Sequence, residues 1–594
     1  MDKVLRLVSF LLLSSAFSGI IAAQVTVSIS PSSVTAVTNA TQLFTATVTG
    51  SANTLVTWQV NGVTGGTATA GTIATTGLFL APATVPSPAT ITVQAISQAD
   101  PSKSASASVT IQTASRSGVS FYVSPTGNDG GAGTIISPWR TIQHAANMVR
   151  PGDTVNVRAG TYHEHVNIPT SSSASAGLIT FRNYPGENPI VDGTGLTVPG
   201  GQYGLFNINN QSYVLIQGFE IRNYKSTKRN VVPVGIYVTG AGSNLQLLNN
   251  HVHDITVSAS GCNANALGIA IYGNTAPASL NNITVSGNQL DHLKTGCSES
   301  LAVDGNVDTF AFVNNQIHDN NNIAIDVAGY FGFAPDPNFD HSRNGWVRGN
   351  TIYNISSTGN PSYPANCFCS DGIYVDGGTQ VLIERNLIHN ADIGIEMASE
   401  NFGHVTSYVI ARDNLIYFGN SAGISIGGYA NTVGGSDHNT IVNNTLFKND
   451  SKNTTSGEFQ IQWHATNNVF KNNIVYATTQ NIFLNGYANS TSNPADIDYN
   501  VYFSTAGSSS GRWVWNGTTY TGYSSYQSST GKDPHSPFAD PQFVNLTQPD
   551  LHVAASSPAV NSGTNLGLTV VGPFDYAGNA RVQGSNIDIG AYEQ

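Results

Sequence analysis

Residues 384–400 read ERNLIHNADIGIEMASE, and the two phrases inside this stretch decide the fold. The first, x-N-x-[IVL], places Asn386 ahead of a short apolar alternation. It recurs with Asn at 250, 288, 315, 350, 414, 444 and 473, at intervals of 27 to 38 residues. One polar residue returning at such a period predicts a solenoid in which amides hydrogen-bond from coil to coil inside a turn. The second phrase, GIEMA at 394–398, has counterparts in GIYVT (235–239), GIAIY (268–272), SLAVD (300–304), NIAID (322–326), GIYVD (372–376), GISIG (423–427) and NIFLN (481–485). Strand alternation sends the second and fourth residues of each inward and the third and fifth outward. The shortest interval between these strands, 22 residues from Asp304 to Asp326, accommodates one coil, and longer intervals must contain loops.

Outward from these repeats, the chain begins MDKVLRLVSFLLLSSAFSGIIAAQ, with Lys3 and Arg6 before an apolar run that ends in small residues. This is the layout of a secretory signal peptide over 1–23, so the expected product is an exported chain starting near Gln24. Only 10% of the residues are charged and the net charge is −12. That balance argues against nucleic acid or a membrane surface as partner, since both reward clustered Lys and Arg. The four cysteines at 262, 297, 367 and 369 allow three disulfide pairings. We favour Cys262 with Cys297, leaving Cys367 and Cys369 to a local bridge or free thiols; their spacing fits no usual zinc pattern.

Residues 24–113, with VTVSISP, TQLFTATVTG, LVTWQVNG and ITVQAIS, alternate as a small sandwich with Trp58 in its core. They resemble a bacterial immunoglobulin-like domain, and ASRSG at 114–118 reads as the linker. The segment from Phe121 to Ile168 places Ser137 and Pro138 where they would cap and start a helix running to about Val149, a lid for the open end of a solenoid. It resembles the opening of secreted right-handed parallel β-helix proteins of the pectin-lyase-like superfamily. The C-terminal DPQFVN, SPAVNSG and DIGAYEQ resemble the tails of such proteins and are expected to pack over the last coils. The resulting expectation is an all-β chain: an immunoglobulin-like β-sandwich followed by a right-handed parallel β-helix over 119–594, and a monomer.

Aligning the strand phrases puts Asp304, Asp326 and Asp376 at one outward position of three successive coils, about 4.8 Å apart. Like charges at that spacing raise at least one pKa and call for a cation or for catalysis. Glu396 falls at the other outward position of the next coil, roughly 8 Å from Asp376 between Cα atoms, a range compatible with a glycosidase pair. Ala302 and Ala324 are expected to leave floor space for a sugar, and Tyr374 to border it. Insertions near 330–344 and 356–371 supply Tyr330, Phe331, Phe333, Tyr363 and Phe368 as walls. Gln460, Gln462, Trp463 and His464 form a candidate further subsite. The histidines 253, 318 and 389 share a repeat position with Tyr353, Tyr417 and Tyr476 and read as a structural stack.

The arrangement resembles that of β-helix glycosidases such as the β-xylosidases, which implies Asp376 as nucleophile or base and Glu396 as general acid. Asp326 and Asp304 would tune the acid or hold sugar hydroxyls, and Glu400 is a substitute acid. The leading reading is a secreted glycoside hydrolase on a poly- or oligosaccharide that requires no cofactor. A second reading resembles the pectate lyases and requires Ca2+ on Asp304, Asp326 and Asp376. No outward position of the aligned strands carries the Lys or Arg base such enzymes usually use, and Lys294 lies in a loop before the Asp304 coil, which leaves a His or Tyr as the base. A non-catalytic carbohydrate-binding or adhesin-like surface protein is the third.

Overall fold

The computed structural model describes residues 24–112, 118–487, 493–547 and 549–594; the expected signal peptide (1–23) and residues 114–117 of the expected linker lie outside them. After an N-terminal sandwich of mainly antiparallel sheets, three long parallel sheets run side by side. The first, of 13 strands, includes Leu301–Gly305, Asp371–Asp376 and Ile393–Ala398 and ends in one antiparallel strand. The second, of 13 strands, includes Leu382–Glu384, and the third, of 12 strands, includes Leu387–Ala391. The protein is therefore an immunoglobulin-like β-sandwich followed by a right-handed parallel β-helix. No helix among the described residues is long and apolar enough to cross a membrane.

The asparagine phrase makes the corner between the second and third sheets. Asn386 donates its backbone N–H and side-chain Nδ2 to Asn414 Oδ1 at 3.0 and 2.9 Å. It accepts the same pair from Asn350 at 3.0 Å each, and sends Nδ2 to the Val347 carbonyl. The ladder runs unbroken from Asn250 through 288, 315, 350, 386, 414, 444 and 473 and gains Asn500. The residue before each ladder asparagine is left-handed, as at Asn249, Gly287, Gly349 and Asn443. This conformation favours Gly and Asn and so explains the recurring Asn-Asn and Gly-Asn pairs. Asn386→Ala removes the acceptor of the Asn350 N–H, one acceptor of its Nδ2 and the amide donor to the Val347 carbonyl, all in a dry interior. It is expected to cost about 3–5 kcal/mol, read as a lowered denaturation midpoint.

At the N-terminal end, the capping helix is Ile142–Met148 and its cap is Thr141, whose side chain accepts the His144 N–H. This corrects the expected start at Ser137 and Pro138. Trp139 pairs with Val123 as an extended residue, and the Asp129 carboxylate holds the N–H groups of Arg140 and Thr141, so the chain cannot turn helical earlier.

Two of the three outer faces are covered. The sandwich docks on the second sheet, where Ala74 and Leu78 pack with Ala311, Val313, Trp346 and Leu382, and Gln98 donates to Thr569 Oγ1. The C-terminal segment lies on the third sheet: Leu551, Ala591 and Tyr592 pack with Leu415, Phe447 and Tyr476. Its Arg581 forms a fully buried ion pair with Asp413. The histidine–tyrosine stack of the third sheet runs His318, Tyr353, His389, Tyr417, with centroids 4.6, 5.1 and 5.0 Å apart and rings within 4° of parallel. His253 departs from this, stacking on His251 of its own strand, and Tyr476 meets Phe447 edge-on.

Candidate active site

The first sheet carries the acidic side chains, and its register corrects the expected column. Asp304 does not face Asp326. Ala302 pairs with Asp326, Asp326 pairs with Tyr374, and Ala328 with Asp376. One column therefore reads Tyr272, Asp304, Ala328, Asp376, Ala398, and its neighbour Ala302, Asp326, Tyr374, Glu396, Ser425, Gln460. The carboxylates alternate between the columns, so no two are cross-strand neighbours. Counting 22 residues per coil placed Asp326 two positions off; the actual step, Ala302 to Asp326, is 24 residues. Asp376 and Glu396 lie diagonally on adjacent coils, as Tyr374 pairs with Glu396 and Asp376 with Ala398.

A local twist at the strand entrances adds a residue that alternation conceals. A Cβ on Gly372 would point at Ile388 and one on Gly394 at Ile416, into the core. Ala324 likewise belongs to the core and provides no floor, whereas Ile323 packs with Tyr374 and Ala398. Because Gly372 turns inward, Asp371 joins the groove, where its carboxyl and that of Glu396 perturb each other. Glu299, just ahead of the strand Leu301–Gly305, completes the set: burial and the field of Asp304 and Glu400 push it up to about 8.

Asp304, Asp326, Asp371, Asp376 and Glu396 are between 2% and 8% exposed, and the strongest charges acting on them are other carboxylates. Burial first, then this mutual repulsion, lifts Asp326 and Asp376 well above the usual carboxylate range. Glu396 is pushed up to about 7 by burial, opposed by hydrogen bonds from Ser425 and Asp371. Asp371 is raised too, by burial and then by Glu396. Asp376 Oδ1 accepts the Glu400 N–H at 2.7 Å, Asp304 Oδ1 the Gly305 N–H at 2.6 Å, and Glu396 Oε1 the Ser425 hydroxyl at 3.1 Å. Asp326 Oδ1 and Asp371 Oδ1 are buried with no hydrogen-bond partner.

The insertions occupy 329–342 and 356–370. Tyr330 lies stacked between His341 and His404, Phe333 packs on Tyr272, and Phe331 is exposed. Tyr363 accepts from Asn322, and burial first, then the charges of Glu299 and Glu400, push it up to about 12. Disulfides join Cys262 to Cys297 and Cys367 to Cys369. Glu400 is exposed and, beside Asp376, Asp326 and Glu396, raised by its own partial burial. Gln460 lies two coils beyond Glu396 in the same column and accepts from Gln462. Trp463 meets Tyr487 edge-on. His464 is not brought in, its ring bonding the Asn431 carbonyl.

A family model described as "Pel9A-like, right handed beta helix region" matches residues 121–288, ahead of the acidic coils. The "uncharacterized protein YwoF" of Bacillus subtilis is 36% identical over 444 residues, 75% of this chain and 92% of that protein. Pectate lyase PEL9 of Emericella nidulans is 29% identical over 171 residues, 26% of this chain and 40% of that protein. Among solved structures, XylC in complex with xylose aligns with TM-score 0.43 and 12% identity over 80% of this chain and 98% of that one. Pectate lyase Pel9A gives 0.41 and 15% over 80% and 96%. The chain belongs to the family of YwoF, within the right-handed parallel β-helix proteins of the pectin-lyase-like superfamily.

Proposed function

We propose that the protein is a secreted carbohydrate-active enzyme, and specifically a glycoside hydrolase that cleaves a neutral poly- or oligosaccharide in the groove of the first sheet. The observation that supports this best is the all-acidic environment of a carboxyl pair. Glu396, titrating near 7, holds a proton where a general acid needs one. Asp376, diagonal to it, is the opposing carboxylate, and the Glu400 N–H favours its ionised form. A polymer of uronates would add negative charge to a site that already carries too much. A neutral glycan instead offers hydroxyl donors to Asp304, Asp326 and Gln460. Glu396 protonates the leaving oxygen while Asp376 attacks or activates water.

A specific observation favours a second reading, a Ca2+-dependent polysaccharide lyase. The partnerless Asp326 Oδ1 and Asp371 Oδ1 are the hard oxygen donors Ca2+ takes, and Asp304, Asp326 and Asp376 would hold the ion between the two columns. Bound there, it would neutralise the cluster and admit an anionic substrate such as the one named in pectate lyase PEL9. The groove-sheet strands from Leu301–Gly305 to Ile393–Ala398 carry no Lys or Arg to act as base.

The test is incubation of the full protein with a panel of neutral and uronate polysaccharides, following reducing ends and unsaturated-product absorbance together, with and without EDTA. Hydrolysis predicts reducing ends without absorbance, retained in EDTA. Absorbance that EDTA abolishes and Ca2+ restores would replace the hydrolase by the lyase. Saturable binding with neither signal would make the groove a carbohydrate-binding surface.

A further inference from the structure

A second cluster of ligating side chains stands on the third sheet, away from the groove and upstream of the coils that the C-terminal segment covers. His251 and His253 alternate on one strand, so both rings project from its outer face. On the next coil Asp291 pairs with His253, and beyond it His318 pairs with Asp291. One donor atom from each of His251, His253 and Asp291 lies within 4.8 Å of the others.

We propose that His251, His253 and Asp291 form a binding site for a first-row transition dication of the Zn2+ type, bridging two coils. Two imidazoles and a carboxylate suit Zn2+, Ni2+ or Cu2+ and not Ca2+. Donors around tetrahedral zinc sit about 3.3 Å apart, and His251 Nε2 already lies 3.0 Å from Asp291 Oδ2.

The surrounding hydrogen bonds point the same way. His253 Nδ1 is 2.9 Å from Asp254 Oδ2 and His318 Nδ1 is 2.8 Å from Asp319 Oδ2. A carboxylate on one ring nitrogen fixes the proton there and turns the lone pair of the other nitrogen toward a metal. Of those other nitrogens, His253 Nε2 lies 3.3 Å from Glu220 Oε1, and His318 Nε2 lies 3.3 Å from the Gln289 amide and 3.6 Å from Asp291 Oδ2. The one guanidinium in the cluster, Arg222, is engaged by Asp192 and Glu220, so no guanidinium neutralises Asp291, which takes hydrogen bonds from the Gln289 amide and from His251 and His292. Asp291 is 5% exposed and His251 38%, so an ion can enter from solvent and meet a buried anchor.

The test is calorimetric titration of tag-free full-length protein with Zn2+ in millimolar Ca2+, which occupies hard-oxygen sites, followed by thermal melts with each metal. Expected is saturable uptake of one Zn2+ per chain and a higher Tm with Zn2+ than with Ca2+ alone. Affinity should fall at least about a hundredfold in His251→Gln/His253→Gln. Asp291 is buried among several partners, so Asp291→Asn alone would confuse ligand loss with misfolding. His251→Gln, at a half-exposed ring, is the control that keeps the native far-ultraviolet spectrum and still loses the Zn2+ effect on Tm. Absence of saturable uptake, or uptake undiminished in the double variant, overturns the proposal.

Discussion

Glu396→Gln is expected to lower kcat on the cleaved glycan by about 10³-fold, the usual worth of a general acid, with KM little changed. The amide keeps the shape and the bond from the Ser425 hydroxyl but has no proton to give. Asp376→Asn should cost a similar factor, since its amide oxygen still accepts the Glu400 N–H but neither attacks nor takes a proton from water. The acid must be protonated to act, so the rate of the unaltered enzyme declines as pH rises through about 7, where Glu396 titrates, and the Gln variant loses that limb. Under the lyase reading Glu396 is not a metal ligand and its amide retains most of the rate. Activity of Glu396→Gln within tenfold of the parent would therefore remove the hydrolase assignment.

Thermal stability is expected to be greatest in mildly acidic solution and to fall steadily toward pH 8. Glu299, Glu396 and the buried Glu458 are pushed up to about 8, 7 and 8, and Asp304, Asp326, Asp371 and Asp376 are raised with them. In each case burial is the leading cause. A carboxyl whose pKa is higher folded than unfolded binds more protons in the folded state. Its stabilisation is complete below the unfolded value near 4.5 and is lost as pH passes through the folded value. For Glu396 alone this amounts to about 3 kcal/mol across that window. Asp326→Asn and Asp304→Asn remove one repelling charge each, so both variants should melt higher than the parent at pH 8 and show a shallower slope. Melts from pH 4.5 to 8.5 decide the matter, and a parent Tm that is flat or rising with pH would mean the carboxylates ionise without cost. If Ca2+ flattens the slope at pH 8 and EDTA restores it, the cation reading gains.

The coil architecture was legible because its signals are local. A left-handed turn residue followed by Asn, then alternating apolar positions, identifies the corner and the strand after it wherever they occur. Eight ladder asparagines follow from the phrase. The ninth, Asn500, escapes it because Tyr502 occupies the inward position where other coils carry Ile, Val or Leu, its hydroxyl meeting Asp533 of the C-terminal cap. Strand alternation likewise exposes Asp304, Asp326, Asp376 and Glu396 as outward groups. It conceals Asp371, since the inward turn of Gly372 breaks the two-residue period one step before the strand phrase begins, and it gives no hint of Glu299 in the segment leading into its strand.

What the sequence by itself determined is which residues lie on strands and which way they face, because turn chemistry and two-residue alternation are properties of neighbouring residues. Tertiary structure alone decided which coil lies beside which and in what register. Coils here differ in length, so the number of residues absorbed by each turn and loop is settled only when the whole stack closes its hydrogen bonds and core. That closure moved Asp326 beside Ala302 and Tyr374, brought Asp371 against Glu396, and set Asp291 beneath the two histidines of an earlier coil.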